Sequence, residues 1–284
     1  MSIFDQKVIK YEMKPLSSLE KVFPDETPVY RMECQMLSGL WGETVSFQVA
    51  YTGDFVMRER LDVRVVSELA EHVHVRTVEM VPVGRATNGI VDDNYLKTIS
   101  GLYPDLLKDL KDGKVIVYSR QWRSLWVDVD ITNEIPAGEY EIELQLIKEG
   151  EVVCSAKQKV TVIGTELPKL DIMHTEWMHA DCLADYYHVE VFSEEHWKLL
   201  GNYFQEYVKR DCNMMLTPLF TSPLDTAIGL ERTTCQLIDV EVKDGEYVFG
   251  FEKLKRWIDL CKKCGIEYFE MSHLFSQWGA KYAP

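Results

Sequence analysis

Leu170-Asp171-Ile172-Met173-His174-Thr175-Glu176-Trp177-Met178-His179-Ala180-Asp181-Cys182 is the stretch at which this chain changes character. Upstream, apolar and polar residues alternate in short runs. Downstream, strand-like runs alternate with helical ones. The stretch opens as a buried-type strand over 170–174 and empties into polar and aromatic groups: His174, Glu176, Trp177, His179 and Asp181. Parallel α/β folds place their chemistry at the carboxyl ends of their strands. The stretch therefore reads as the first strand and first loop of a (β/α)8-type barrel domain over 169–284, preceded by an all-β domain over 1–165.

Working forward, Ser193 is a helix N-cap candidate, with Glu194 and Glu195 favourably placed in the first turn. Trp197, Leu200, Phe204 and Val208 recur at helical spacing behind it. Asn213-Met214-Met215-Leu216 is a short apolar strand ended by Thr217-Pro218. Residues 235–243 and 246–251 flank Asp244-Gly245 and predict a hairpin. Leu254, Trp257, Ile258 and Cys261 then mark a helix that Gly265 stops. Residues 266–272 are the third strand, followed by His273, Gln277 and Trp278. A complete barrel takes roughly 250 residues, so three strands after Lys169 lead to the expectation of an incomplete barrel. Its third strand would be an open edge, which self-association into a homo-oligomer would cover.

Working backward, residues 43–51, 61–65, 73–78, 121–129, 140–146 and 151–163 carry the period of two of half-buried strands. Lys148-Glu149-Gly150 closes a hairpin, and Gly101-Leu102-Tyr103-Pro104-Asp105-Leu106-Leu107 reads as a loop or short helical turn. Seven or eight short strands predict a β-sandwich, joined onward by the linker Gly164-Thr165-Glu166-Leu167-Pro168. The fold class is thus multidomain: a β-sandwich, then the first strands of a (β/α)8 barrel. His72 and His74 share a strand face but lack a third ligand, and read as exposed strand histidines. Trp122 and Trp126 share a face as well. They could form a sugar platform, but a wedge against the next domain is the favoured reading.

Composition narrows the function. The 284 residues carry a formal net charge of −15, with 46% hydrophobic and 27% charged residues. Phosphate contacts need a basic face, so this balance argues against nucleic acid or an anionic membrane as partner. The amino terminus shows no basic segment followed by an apolar run, and no window is long and apolar enough to span a bilayer. Seven irregularly spaced cysteines in such a chain read as reduced thiols of a cytoplasmic protein.

Three passages together resemble glycoside hydrolase family 123: 101–107; Gln121-Trp122-Arg123-Ser124-Leu125-Trp126 with Pro136-Ala137-Gly138-Glu139-Tyr140; and 174–182. The resemblance implies an N-terminal β-sandwich and a (β/α)8 catalytic domain acting on N-acetyl-β-galactosaminides. It further implies a substrate-assisted retaining mechanism, in which the 2-acetamido group is the nucleophile. An adjacent Asp-Glu pair orients that group and supplies the general acid and base. The only neighbouring Asp-Glu here, Asp25-Glu26, lies in a Pro-flanked stretch of the first domain. No catalytic residue is therefore carried onto this chain, which is expected to be inactive alone.

In the barrel reading, His174, Glu176, Trp177, His179 and Asp181 follow strand one, Thr217 follows strand two, and His273, Gln277 and Trp278 follow strand three. Trp177 and Trp278 are expected to stack on a sugar, with His174, Asp181 and His273 bonding its hydroxyls. The substrate-binding set is His174, Glu176, Trp177, His179, Asp181, His273 and Trp278. Loop packing is the competing role for each aromatic. No cofactor or metal is expected: the spacing of His174, His179, Asp181 and Cys182 matches no common zinc signature, and Cys261-Lys262-Lys263-Cys264 is a lone CxxC. The alternatives to a glycosidase are a non-catalytic carbohydrate-binding or structural protein, and a metal hydrolase built on 174–182.

Overall fold

The computed structural model describes residues 10–28, 36–55, 58–169, 171–221 and 232–272. The chain forms two compact units, Met1–Pro168 and Lys169–Pro284.

The first unit holds β1 (Lys10–Ser17), β2 (Met36–Trp41), β3 (Thr44–Asp54), β4 (Glu59–Val66), β5 (Val73–Val83), β6 (Gly101–Asp109), β7 (Lys114–Val117), β8 (Arg123–Asp130), β9 (Gly138–Lys148) and β10 (Glu151–Glu166). They make two five-stranded sheets, ordered β1-β3-β8-β5-β6 and β2-β10-β9-β4-β7. Alternate residues of both sheets share one core: Phe47, Val49, Leu125, Val127 and Val129 from the first, Ile142, Leu144, Leu146, Val160 and Val162 from the second. That is the physical content of the period of two, since successive side chains on a strand point to opposite faces. The β9–β10 hairpin closes on Glu149 and Gly150, both at positive φ, as the predicted turn requires.

Four expectations for this unit are corrected. Residues 101–107 are not a loop or helical turn but most of β6, paired antiparallel with β5. Pro104 is tolerated in it because β6 is an edge strand, and the register shifts beside it between Glu79 and Met80. β10 runs through Glu166, and Leu167 N–H donates to Trp41 O at 2.7 Å, so most of the expected linker belongs to the sheet. His72 lies on a 3-10 turn ahead of the strand, whereas His74 is on β5 with Nε2 3.2 Å from Asp130. The tryptophans are used inside the unit. Trp122 is buried with Leu16, Val22 and Ala50 under the Lys14 ammonium, and Trp126 donates its indole N–H to Asp128 at 2.7 Å.

The second unit holds α1 (Ala180–Tyr187), α2 (Glu194–Val208), β11 (Met214–Thr217), β12 (Asp239–Lys243), β13 (Glu246–Gly250), α3 (Glu252–Cys264) and β14 (Tyr268–Met271). Ser193 caps α2, its Oγ accepting from His196 N–H at 3.2 Å. α3 ends at Gly265, with φ of 106°. β12 and β13 turn at Asp244 and Gly245, both at positive φ. β11 and β14 pair in parallel from Met214↔Tyr268 to Thr217↔Met271. Behind them lies a core built on Trp197, Leu200, Phe204, Met215 and Trp257. Arg256 of α3 grips Glu194 of α2 with two hydrogen bonds at 2.6 and 2.7 Å.

Here the expected first strand is corrected. Ile172 and Met173 are 64% and 65% exposed, and the segment pairs with β11 through one parallel bridge, Thr175↔Met214. Leu170 lies outside the described residues. The reason is local: the Asn213 side chain takes the backbone partners a ladder would use. Its Nδ2 donates to Ile172 O and its Oδ1 accepts from His174 N–H, both at 2.8 Å. A helix, α1, stands where a loop is expected. The hairpin is shorter than expected, because Cys235, Leu237 and Ile238 are buried ahead of it.

Candidate functional site

A parallel sheet has two ends, and the Thr175↔Met214 bridge decides which residues lie at each. His174 sits level with the start of β11: its O accepts from Asn213 and Met214 N–H at 3.1 Å, and its Nδ1 lies 3.2 Å from Asp211 O. This is the amino end of the sheet, where barrel folds concentrate stability rather than chemistry. The expectation that His174 follows the carboxyl end of strand one is therefore corrected. Its Nε2 lies 3.6 Å from Glu176 Oε1, so those two residues form an exposed pair.

Trp177 lies two residues beyond the Thr175 bridge, toward the carboxyl end. Its indole N–H donates to Glu270 Oε2 of β14 at 2.9 Å, and the ring is 52% exposed. Met215 and Phe269 belong to the core beneath the helices, so their neighbours Leu216 and Glu270, paired across β11 and β14, lie on the opposite face, which among the described residues is helix-free. Trp177 is thus held on that face.

Asp181 is placed differently from the expectation. It lies in the first turn of α1 and is buried; Arg232 Nε and Nη2 bind its two oxygens at 2.5 and 3.1 Å, the two side chains being 8% and 9% exposed. A buried carboxylate is tolerated when paired in this fork geometry. With both oxygens engaged, Asp181 anchors the segment after β11, and Thr233 reinforces it through Asp185 at 2.8 Å. His179 is the N-cap residue of α1. Thr217 is fully buried at the end of β11, and its O accepts from Ser272 N–H at 3.0 Å. His273, Gln277 and Trp278 lie outside the described residues. The structure thus brings Trp177 to the helix-free face and separates it from His174 and Asp181.

Two residues that the sequence reading missed matter here. Arg232 sits in a polar run without periodicity, and nothing local marks it as the partner of a residue 51 positions away. Glu270 had a signal: it is the one acid of the strand Tyr268-Phe269-Glu270-Met271, alternating with residues of the opposite face. Beside these, His196 is fully buried and neutral. Its Nδ1 accepts from Phe192 N–H and its Nε2 donates to Ala180 O, both at 2.9 Å, and burial holds its pKa below the ordinary value.

Burial pushes Cys182 and Cys212 up, and Cys235 up to about 12, so none is an activated thiolate. Among the described residues no group of three or more His, Cys, Asp or Glu is arranged to hold a metal. The arrangement places an exposed aromatic ring and a carboxylate side by side.

Residues 177–284 match the family model of the glycoside hydrolase 123 catalytic domain. No curated protein matches the sequence. A family 123 glycoside hydrolase from Clostridium perfringens, studied for glycolipid glycan hydrolysis, matches with a TM-score of 0.64 at 14% identity, over 91% of this chain and 46% of that one. This chain therefore spans about half the length of that enzyme. A β-glucosidase from Listeria innocua matches over 56% of this chain and 17% of its own, at 10% identity and a TM-score of 0.26, too weak to bear on fold or function. The chain resembles glycoside hydrolase family 123, in sequence over its second unit and in fold over most of its length.

Proposed function

We propose that this chain is the N-terminal portion of a glycoside hydrolase acting on N-acetyl-β-galactosaminides or related glycosides, a β-sandwich followed by the first βα units of a (β/α)8 barrel. One observation carries the reading: the segment that matches the catalytic-domain model, 177–284, contains a parallel β11–β14 sheet with helices on one face and Trp177 and Glu270 on the other. That is the layering of a barrel wall, whose helix-free face lines the interior. The ligand is a neutral carbohydrate, in keeping with the net charge of −15, and the mechanism is the substrate-assisted retaining one of the family resemblance.

The proposal separates binding from turnover. The adjacent Asp25-Glu26 lies in the first unit, and both carboxylates pair with Lys97, at 3.3 and 2.8 Å. The family's acetamido-orienting role is therefore not assigned to them. The chain taken alone is therefore expected to bind N-acetylgalactosamine without cleaving aryl N-acetyl-β-galactosaminides; loss of a general acid by itself costs about 10²- to 10⁴-fold. Binding is read by isothermal titration and turnover by release of the aryl alcohol. Release above a blank would overturn the account of the missing pair, and absence of sugar binding would overturn the carbohydrate reading itself.

A further inference from the structure

We infer that Trp177 and Glu270 form one carbohydrate subsite, in which the exposed indole face receives a pyranose ring and Glu270 both positions that indole and accepts a hydroxyl of the same sugar. The inference rests on the carbohydrate reading above and adds the residues and their division of labour.

The geometry starts from the order of the chain segments. The Thr175 segment lies on one side of β11 and β14 on the other. Neighbouring strands lie about 4.8 Å apart, so Trp177 must reach across two strand spacings, roughly 9.6 Å, to meet Glu270. Leu216 of β11, which pairs with Glu270, lies between the two segments and is 5% exposed. The 2.9 Å bond from the indole N–H to Oε2 ties Trp177 to β14.

Other tryptophans of this unit show what indoles do when packing is their role. Trp257 is fully buried and Trp197 is 4% exposed, both inside the helix-side core. Trp177 is 52% exposed on the opposite face. A large ring kept half in water, yet held in one orientation by a charged acceptor, is a preorganised apolar platform. The C–H face of a pyranose packs on such a ring, while the sugar's hydroxyls need acceptors at its edge. Glu270 provides one there. An ionised carboxylate accepts only; Oε2 takes the indole N–H, and among the described residues Oε1 has no ion-pair or hydrogen-bond partner. A hydroxyl of a sugar lying on the indole can reach it.

The experiment uses the intact 284-residue chain, labelled with 5-fluorotryptophan, with the Trp177 fluorine resonance assigned through Trp177→Phe. N-acetylgalactosamine and galactose are the probes, followed by fluorine NMR and by isothermal titration. Thermal melts of every variant establish that it folds. The expected result is that sugar moves the Trp177 resonance. Trp177→Ala and Glu270→Ala should each weaken binding about tenfold or more. Trp177→Phe, which keeps a ring but not the N–H, should bind better than Trp177→Ala. Glu270→Gln, which keeps an acceptor for the indole, should recover part of the Glu270→Ala loss. Variants that lower the melting temperature yet bind sugar as the parent does would show the bond to be structural and overturn the inference. Binding that leaves the Trp177 resonance unmoved would overturn the subsite while leaving the carbohydrate reading intact. No binding of either sugar to the parent chain would overturn both.

Discussion

His196 shows how much one buried group can decide. Both ring nitrogens are satisfied by backbone partners, and the proton sits on Nε2 because Nδ1 accepts from Phe192 N–H. A second proton would set an N–H against an N–H in the core. Burial holds its folded pKa below the ordinary value, against the Ala180 carbonyl and the Asp181 charge that favour the proton; for an unperturbed histidine that value is about 6.5. The sign follows: above that pH both folded and unfolded chains are neutral here, and stability is intact. As pH falls through about 6.5, the unfolded chain takes up a proton that the folded one refuses, and stability is lost, at up to about 1.4 kcal/mol per pH unit for one proton. Melts of the chain and of His196→Gln at pH 7.5, 6.5 and 5.5 test this. The parent should lose more of its melting temperature on acidification than the variant, and equal slopes would refute it.

At the scale of elements, helix ends matter more than helix interiors. α3 stops because Gly265 takes φ of 106° and donates its N–H to Cys261 O and Lys262 O at 3.1 Å. A Cβ at this position would lie 3.3 Å from Val208 Cγ1, at the end of α2. Gly265→Ala therefore meets both a disfavoured backbone and a tight neighbour, and is expected to cost about 1–2 kcal/mol. Urea titration of the variant gives the number; a change within about 0.5 kcal/mol would show that the helix end relaxes freely. The β12–β13 hairpin offers the opposite case. Val242, Tyr247 and Phe249 are 66%, 71% and 51% exposed, so that hairpin is fixed by its turn more than by packing.

For the molecule as a whole, the two units differ in where their stability comes from. The first supplies both faces of its own core, since two five-stranded sheets meet around one hydrophobic cluster. Residues 1–168 expressed alone are expected to melt cooperatively, and a broad, non-cooperative transition in calorimetry would refute this. The second unit gains its core from helices lying on one side of the β11–β14 sheet. Among the described residues, the opposite face of that sheet carries Glu270, to which Trp177 is hydrogen-bonded.

The sequence by itself determined whatever depends on near neighbours. Ser193 at the start of α2, Gly265 after α3, and the Glu149-Gly150 and Asp244-Gly245 turns are local stereochemistry, legible from one residue and the next few. The alternation of Phe47 with Val49, or of Ile142 with Leu144, is equally local, and the division of the chain into an all-β part and a mixed part follows from it. Only the tertiary structure decided what depends on register and distant pairing. Pro104 joins a strand because β6 lies at a sheet edge. His174 falls at the amino end of the sheet because the Asn213 side chain takes the hydrogen bonds that a longer strand would have used. Asp181 is paired with an arginine 51 residues away, and Trp177 is bonded to a glutamate 93 residues away. Propensity fixes an element within its own turn or strand. A contact across the fold is chosen by the balance of all the alternatives for burial and pairing, and no window of sequence contains them.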